Sequence, residues 1–497
     1  MTLVWNRLMT AGAALQARSH LDRFRHLLIS TIMVGCAFPV VGVTNAIGQN
    51  EFALQSNERQ MRLFNSDPMD DTSQASGAAS ETPTSAPGEE STDAPAPEPF
   101  SLTTTDRLTG DWDGFRTWME GRGITTNIGL TVVYQHLAHG GVETKNGGRV
   151  PGSYDFDMTF DLEAMKLIKG GQIYALANGS WDTGVTGREK TGDFFGTNYD
   201  AVGDRSVDLV QLWYEQALLE KKIRIRGGKI NLSYDFDTNA YANDLTGQFL
   251  NSALNNNPQI HFPGYVLGHM GAQVFVNPVE WMYYGVGAAD AQADFRETGF
   301  RTAFHGEDHF FGMQEVGFTP VWNTPLGKLP GNYRFGMWYE PQPKAKYFDD
   351  LDGRRRTIPY RRDDVGFYTS LDQLVFKEKP SDDADDQGFG LFFRYGYAKQ
   401  DVNQIEDFWS IGAQYKGLVP TRDSDVLGFG VAQGLTSEQV RKQDERPGRE
   451  TVIEFYYRIE IFPWLSLSPD FQMILDPGGT KSGTDAFVAG LRLQMTF

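Results

Sequence analysis

Five side chains on two neighbouring segments carry the first chemistry in this chain. Gln211, Trp213 and Glu215 alternate with Val210, Leu212 and Tyr214 over 207–217; Arg224 and Arg226 alternate with Ile223 and Ile225 over 222–230. Successive side chains of a strand point to opposite faces, so these five share one face once the segments pair. Amide, indole, carboxylate and guanidinium together supply donors, acceptors and a flat ring, a set that suits the hydroxyls and apolar faces of a polyhydroxylated solute. The competing role is a structural ladder of opposite charges. The connection 231–270, NLSYDFDTNAYANDLTGQFLNSALNNNPQIHFPGYVLGHM, follows at once and brings Asn231, Asp235, many amides and aromatics, and little charge. Folded inward, it would line a passage for a neutral solute; left outside, it would be a surface loop packed by its own rings. Arg394, Arg458 and Arg492 fall on the polar faces of later alternating runs, so an anion preference competes with a sugar preference.

Other combinations lead nowhere. His261/His269 and His305/His309 lack a Cys or carboxylate at metal spacing, and GFGVAQG (428–434) lacks the spacing of a phosphate loop. SDDADDQG (381–388) reads as a solvated acidic turn, and no serine sits in a nucleophile setting. No cofactor, metal or catalytic set is expected. The formal charge of -19 also excludes a basic phosphate-binding face, so nucleic acid is not an expected partner.

The elements that must position these residues are strands. Period-two runs recur at 124–134, 155–163, 171–181, 207–217, 222–230, 271–277, 281–289, 310–318, 331–340, 365–376, 388–398, 408–416, 425–432, 452–462, 465–475 and 486–497, about 16 in all. The last, ending AGLRLQMTF, puts Phe487, Ala489, Leu491, Leu493 and Met495 on one face and Arg492 and Gln494 on the other. Connections after even-numbered runs are mostly short and those after odd-numbered runs mostly long. That sorting is the arrangement of an outer-membrane barrel, with short periplasmic turns and long outer loops. A soluble sandwich has no reason to sort loops by parity and would turn its charged faces to solvent. The expected fold is therefore all-β: a transmembrane antiparallel β-barrel of about 16 strands, with a short N-terminal helix over GDWDGFRTWMEG before the first strand. A lumen of that width holds water. The outer faces would meet outer-membrane lipid, and the strand ending at Phe497 looks like the signal read by outer-membrane assembly machinery.

Residues 1–46 combine Arg18, Arg23 and Arg25 with the apolar run LLISTIMVGCAFPVVGV and small residues at Thr44 and Ala46, as a secretory signal peptide does. A membrane anchor is the alternative, though the run is short for a span and is broken by Pro39. Cys36, the single cysteine, lies inside that run, where a lipoprotein cleavage box fits poorly. Residues 47–105 are Pro, Ser, Thr and acid rich, and 51–99 hold ten acids against two arginines. Such a tract cannot bury enough apolar surface to order itself, so it is expected to be a periplasmic linker that could reach the cell wall. The barrel is expected over 106–497, as a monomer or trimer.

From about Leu108 to Phe497 the chain resembles the carbohydrate-selective porin family (OprB type). The resemblance rests on LTGDWDGFRTWMEGRGI, DLEAMKLIKGGQIY, LWYEQALLEKKIRIRGGKIN, LPGNYRFGMWYE, GFYTSLDQLVF, GFGLFFRYGYA, SIGAQYKGLVPTRDSDVLGFGVAQG and FYYRIEIFPWLSLSPDFQMILDPGG, in that order. It implies a 16-stranded outer-membrane barrel, preceded by a short helix, that passes sugars by diffusion. GDWDGFR stands where the family usually has GDWGGLR. A general or anion-preferring porin, or a barrel with a hydrolase or structural role, are the alternatives.

Overall fold

In the computed structural model, residues 101–497 are described except 146, 188–189, 202, 264–267, 293–308, 348–359, 445–447 and 480–483. The expected signal peptide, and the expected linker as far as residue 100, lie outside the described residues. Sixteen strands form the wall. They are β1 (Ile124–Gly141), β2 (Gly152–Asp161), β3 (Gly171–Trp181), β4 (Arg205–Leu218), β5 (Ile223–Ile230), β6 (His269–Val279), β7 (Met282–Asp290) and β8 (Phe310–Phe318). The second half comprises β9 (Gly327–Glu340), β10 (Asp364–Lys377), β11 (Gly388–Ala398), β12 (Ile405–Lys416), β13 (Val426–Thr436), β14 (Arg449–Phe462), β15 (Leu465–Leu475) and β16 (Thr484–Thr496). Each pairs antiparallel with its sequence neighbours, and β16 returns to β1 from Gly129↔Thr496 to Gly141↔Thr484. The sheet has no free edge, as a sheet in hydrocarbon requires.

Alternation sets the two faces. Phe335, Phe367, Leu391, Ile411, Phe429, Phe455, Phe471 and Leu491 are exposed on the outside, while Arg334, Ser370, Arg394, Ser410, Glu454, Gln472 and Arg492 are buried within. One inward row runs Arg334, Ser370, Arg394, Ser410 across β9 to β12 in register. The expected parity fails in β4. Val210, expected on the outer face, is 2% exposed. A register shift opposite Leu176 and Ala177 inserts a bulge into β4, so Asp208 faces inward with Gln211, while Val207 faces out.

The expected N-terminal helix is α1 (Phe115–Glu120). It starts later than the spacing of Trp112 suggests, because Trp112, Asp113 and Gly114 all have positive φ and turn the chain before it. Its buried side carries Arg116 and Met119; Phe115 and Trp118 are exposed and stacked at 5.5 Å. Arg116 donates to Phe497 O at 3.1 Å and Leu108 N to Thr496 O at 2.8 Å, which ties this segment to the end of β16. A second helix, α2 (Glu438–Asp444), lies in the outer loop between β13 and β14.

Ile411 sits midway along β12 in register with Phe393 and Val431. An Ile411→Arg substitution places a cation in hydrocarbon and should cost about 2–4 kcal/mol. Denaturant unfolding in lipid vesicles checks this; a change within 0.5 kcal/mol, roughly the size of an ordinary surface substitution, would mean that this face does not meet lipid.

Candidate functional site

The connection between β5 and β6 enters the lumen. Nearly every residue from Ile230 to Ile260 is buried or half-buried. A loop taken out of water must find partners for its backbone groups, and here carboxylates of the wall supply them. Asp237 N donates to Glu315 Oε2 at 3.1 Å, Ala240 N to Asp372 Oδ2 at 3.2 Å, and Leu250 N and Asn251 N to the two oxygens of Glu454 at 2.6 and 3.0 Å. Asparagines organise the loop itself. Asn231 and Asn251 each accept a backbone N–H two residues ahead and so cap the two short 3-10 turns, Leu232–Tyr234 and Ser252–Leu254. Inward glycines make room for it: a Cβ on Gly390 would overlap the Tyr241 ring, and one on Gly396 would overlap Asn257.

Two candidate arginines of the later strands reach the loop from the wall. Arg394, wholly buried, donates to Leu254 O, Asp237 O and the Asn243 side chain at 3.1–3.3 Å and lies 3.4 Å from the Asp237 carboxylate. Arg492 donates to Leu245 O at 3.4 Å and Gln248 O at 2.6 Å. One residue further along the loop, Gln494 donates to the Thr246 hydroxyl at 3.0 Å.

The hairpin candidates form one contiguous cluster. Arg226 pairs with Glu215 at 2.9 Å and with Asp235 at 2.7 Å, and its guanidinium lies 3.9 Å above the Trp213 ring. Trp213 packs on Tyr174 at 5.1 Å and donates to Gln211 at 3.0 Å. Asp235 also takes Gln273 Nε2 at 2.8 Å. Arg224 lies 3.8 Å from Glu215 and above the Phe275 ring. Gln211, Trp213, Glu215, Arg226 and Asn231 are each less than a tenth exposed. Acid and base are thus in contact on one stretch of wall, where they neutralise each other at short range.

A second loop, 182–204, expected only as a long outer connection, also turns inward. Thr197 O accepts from Gln135 of β1 at 2.8 Å and from Gln472 of β15 at 2.9 Å. Phe194 N and Gly478 N both donate to Glu450 of β14, and Phe195 packs edge-on against Phe408 at 5.9 Å. The run TGDFFGTNYD, with its paired rings and small polar residues, resembles the other inward loop in composition and was the signal available. Burial in this loop pushes the Asp200 carboxyl up to about 7, with the Ser153 hydroxyl donating to it.

Beneath the first loop, towards the periplasmic turns, an open cavity of about 120 Å³ remains. Tyr241, Gln248, Asn332, Gln414 and Arg458 line it together with Asp244, Asp372, Asp386 and Lys416. Of the ten candidate residues, Arg458 is the one on this cavity. Asn332 and Gln414 escaped the sequence reading because alternation gives a residue's face but not its height in the barrel.

A closed sixteen-strand barrel with an apolar outside and a polar lumen narrowed by inward loops is a porin. The chain belongs to the carbohydrate-selective porin, OprB family, whose model matches residues 145–497. It is an outer-membrane channel and not an enzyme. Porin B of Pseudomonas aeruginosa is 23% identical over 81% of this chain and 94% of its own length. The putative porin QuiX of Acinetobacter baylyi is 22% identical over 78% of this chain and 93% of its own. The high-pH structure of Pseudomonas putida OprB superposes with a TM-score of 0.69 at 21% identity, over 80% of this chain and all of that one, which establishes the shared fold.

Two outcomes follow. Removing Arg394 leaves the Asp237 charge buried without its cation, a loss of about 3–5 kcal/mol locally. Arg394→Met should therefore loosen the loop, and single-channel recordings should show higher, noisier conductance than wild type. For Asp200, the inserted loop favours the protonated carboxyl, so charging it as pH rises from about 4 through 7 weakens loop insertion. Amide exchange over 191–201 should accelerate between pH 5.5 and 8 beyond its intrinsic pH dependence, and Asp200→Asn should remove that excess.

Proposed function

We propose that carbohydrates diffuse inward past the loop 231–268 and make their main contacts in the cavity beneath it. The observation that carries this reading is the lining: a tyrosine ring, three amides and a guanidinium inside one barrel. Tyr241 offers an apolar face to a sugar ring, while Asn332, Gln414 and Arg458 offer donors and acceptors to its hydroxyls. The loop narrows the lumen without sealing it, so the solute leaves its water shell only in part and both binds and leaves readily.

The remaining candidates act on the solute from greater depth. Asn231 and Asp235 set where the loop departs from β5, and Gln211, Trp213, Glu215, Arg224 and Arg226 hold that stretch of wall and loop together. Arg394 and Arg492 fix the height of the loop tip. Outside the barrel, the acidic segment 47–105 is a periplasmic spacer following a signal peptide over 1–46, and its reach suits contact with the cell wall. The strand ending at Phe497 is the part that assembly machinery reads, and the barrel works as a monomer or a trimer.

The test is single-channel conductance in a planar bilayer, titrated with glucose and maltooligosaccharides. Saturable block is expected, and Tyr241→Ala should weaken it roughly two- to tenfold, the worth of one stacked ring. Stable conductance that no sugar closes would overturn the reading in favour of a general channel.

A further inference from the structure

The charges around the cavity do not cancel. Asp372 pairs with Arg334 at 2.8 Å and also accepts from Asn332 and Ala240 N. Asp386 pairs with Lys416. Asp244 accepts Thr246 N and its hydroxyl at 2.9 Å and interacts electrostatically with Arg492. Arg458 alone among the cavity's cations has no carboxylate within ion-pair distance among the described residues, and its Nε is buried without a hydrogen-bond partner. It stands opposite Val426 on β13, close above the periplasmic turn.

A guanidinium half-exposed to the cavity, with no carboxylate against it and its buried Nε unpartnered, keeps donors in hand for a solute. A planar carboxylate fits its fork. The neighbouring Tyr241 ring and the Asn332 and Gln414 amides fit a polyol chain or ring attached to that carboxylate. We infer that the cavity is a subsite for sugar acids, monocarboxylated polyols of the aldonate or hexuronate type, with Arg458 taking the carboxylate. This rests on the sugar pore proposed above and names one substrate class within it. The three acids lining the cavity are offset in part, Asp372 by Arg334 and Asp386 by Lys416 in ion pairs and Asp244 by the field of Arg492. They do disfavour solutes with several negative charges, which limits the class to monoanions.

The measurement is block of single-channel current by glucose and by gluconate at equal ionic strength. In wild type, gluconate should block at a concentration at least fivefold lower than glucose. Arg458→Gln should raise the gluconate value at least fivefold and the glucose value by a smaller factor, so that the two converge. Arg458→Lys, which keeps the charge but loses the fork, should restore part of the preference. Heat-modifiable migration of each variant on gels checks that the barrel has closed. Equal block by the two solutes in wild type, or an equal loss of both in Arg458→Gln, would overturn the inference while leaving the sugar pore standing. Absence of block by any sugar would instead remove the pore reading on which it rests.

Discussion

Hydrocarbon offers no partner to a peptide group, and the rest of this structure depends on that constraint. Each wall strand must pair on both sides, which forces β16 back onto β1 over eleven register positions. The segment before β1 extends the same solution past the membrane boundary: Leu108 N reaches Thr496 O, and Arg116 reaches Phe497 O. Closure at sixteen strands then fixes a lumen too wide for side chains alone to fill. What fills it has to come from the loops.

An inward loop meets the same requirement in a second form. It carries its own peptide groups out of bulk water, and the wall answers with buried carboxylates and arginines instead of another strand. Glu315, Asp372 and Glu454 accept loop N–H groups, while Arg394 and Arg492 donate to loop carbonyls. Buried charge is therefore abundant here without being available to a solute, since each group used as an anchor is held by the loop. Charge-assisted hydrogen bonds of this kind are strong and directional, which gives the loop a defined height. What is left facing the cavity is a smaller set: a ring, amides and Arg458.

The outer membrane location, the sugar-passing class and the narrow lumen are consistent with one another on physical grounds. A neutral solute needs no net field, only a surface whose donors and acceptors replace part of its hydration. The close pairing of Arg224 and Arg226 with Glu215, and of Arg226 with Asp235, cancels charge within a few ångströms and projects little field into the lumen. An unpaired guanidinium at the inner end adds a local exception to that neutrality.

Strand number, facing and the site of the inward loop were legible in the sequence, because each depends on local rules. Alternation of Phe455 with Glu454 and Tyr456, or of Leu491 with Arg492, states which face meets lipid whatever the neighbours are. Amide and aromatic density marked 231–270 as a loop able to live inside a barrel. Val210 was misplaced because a bulge depends on the partner strand, here β3, and leaves no mark in its own alternation. Only the tertiary structure decided which polar residues stay open to a solute. Arg394, Arg458 and Arg492 occupy the same face of equivalent strands, yet two are covered by the loop and one is left on the cavity. That difference is set by height along the strand and by contacts more than a hundred residues away in sequence, and period-two patterning contains neither.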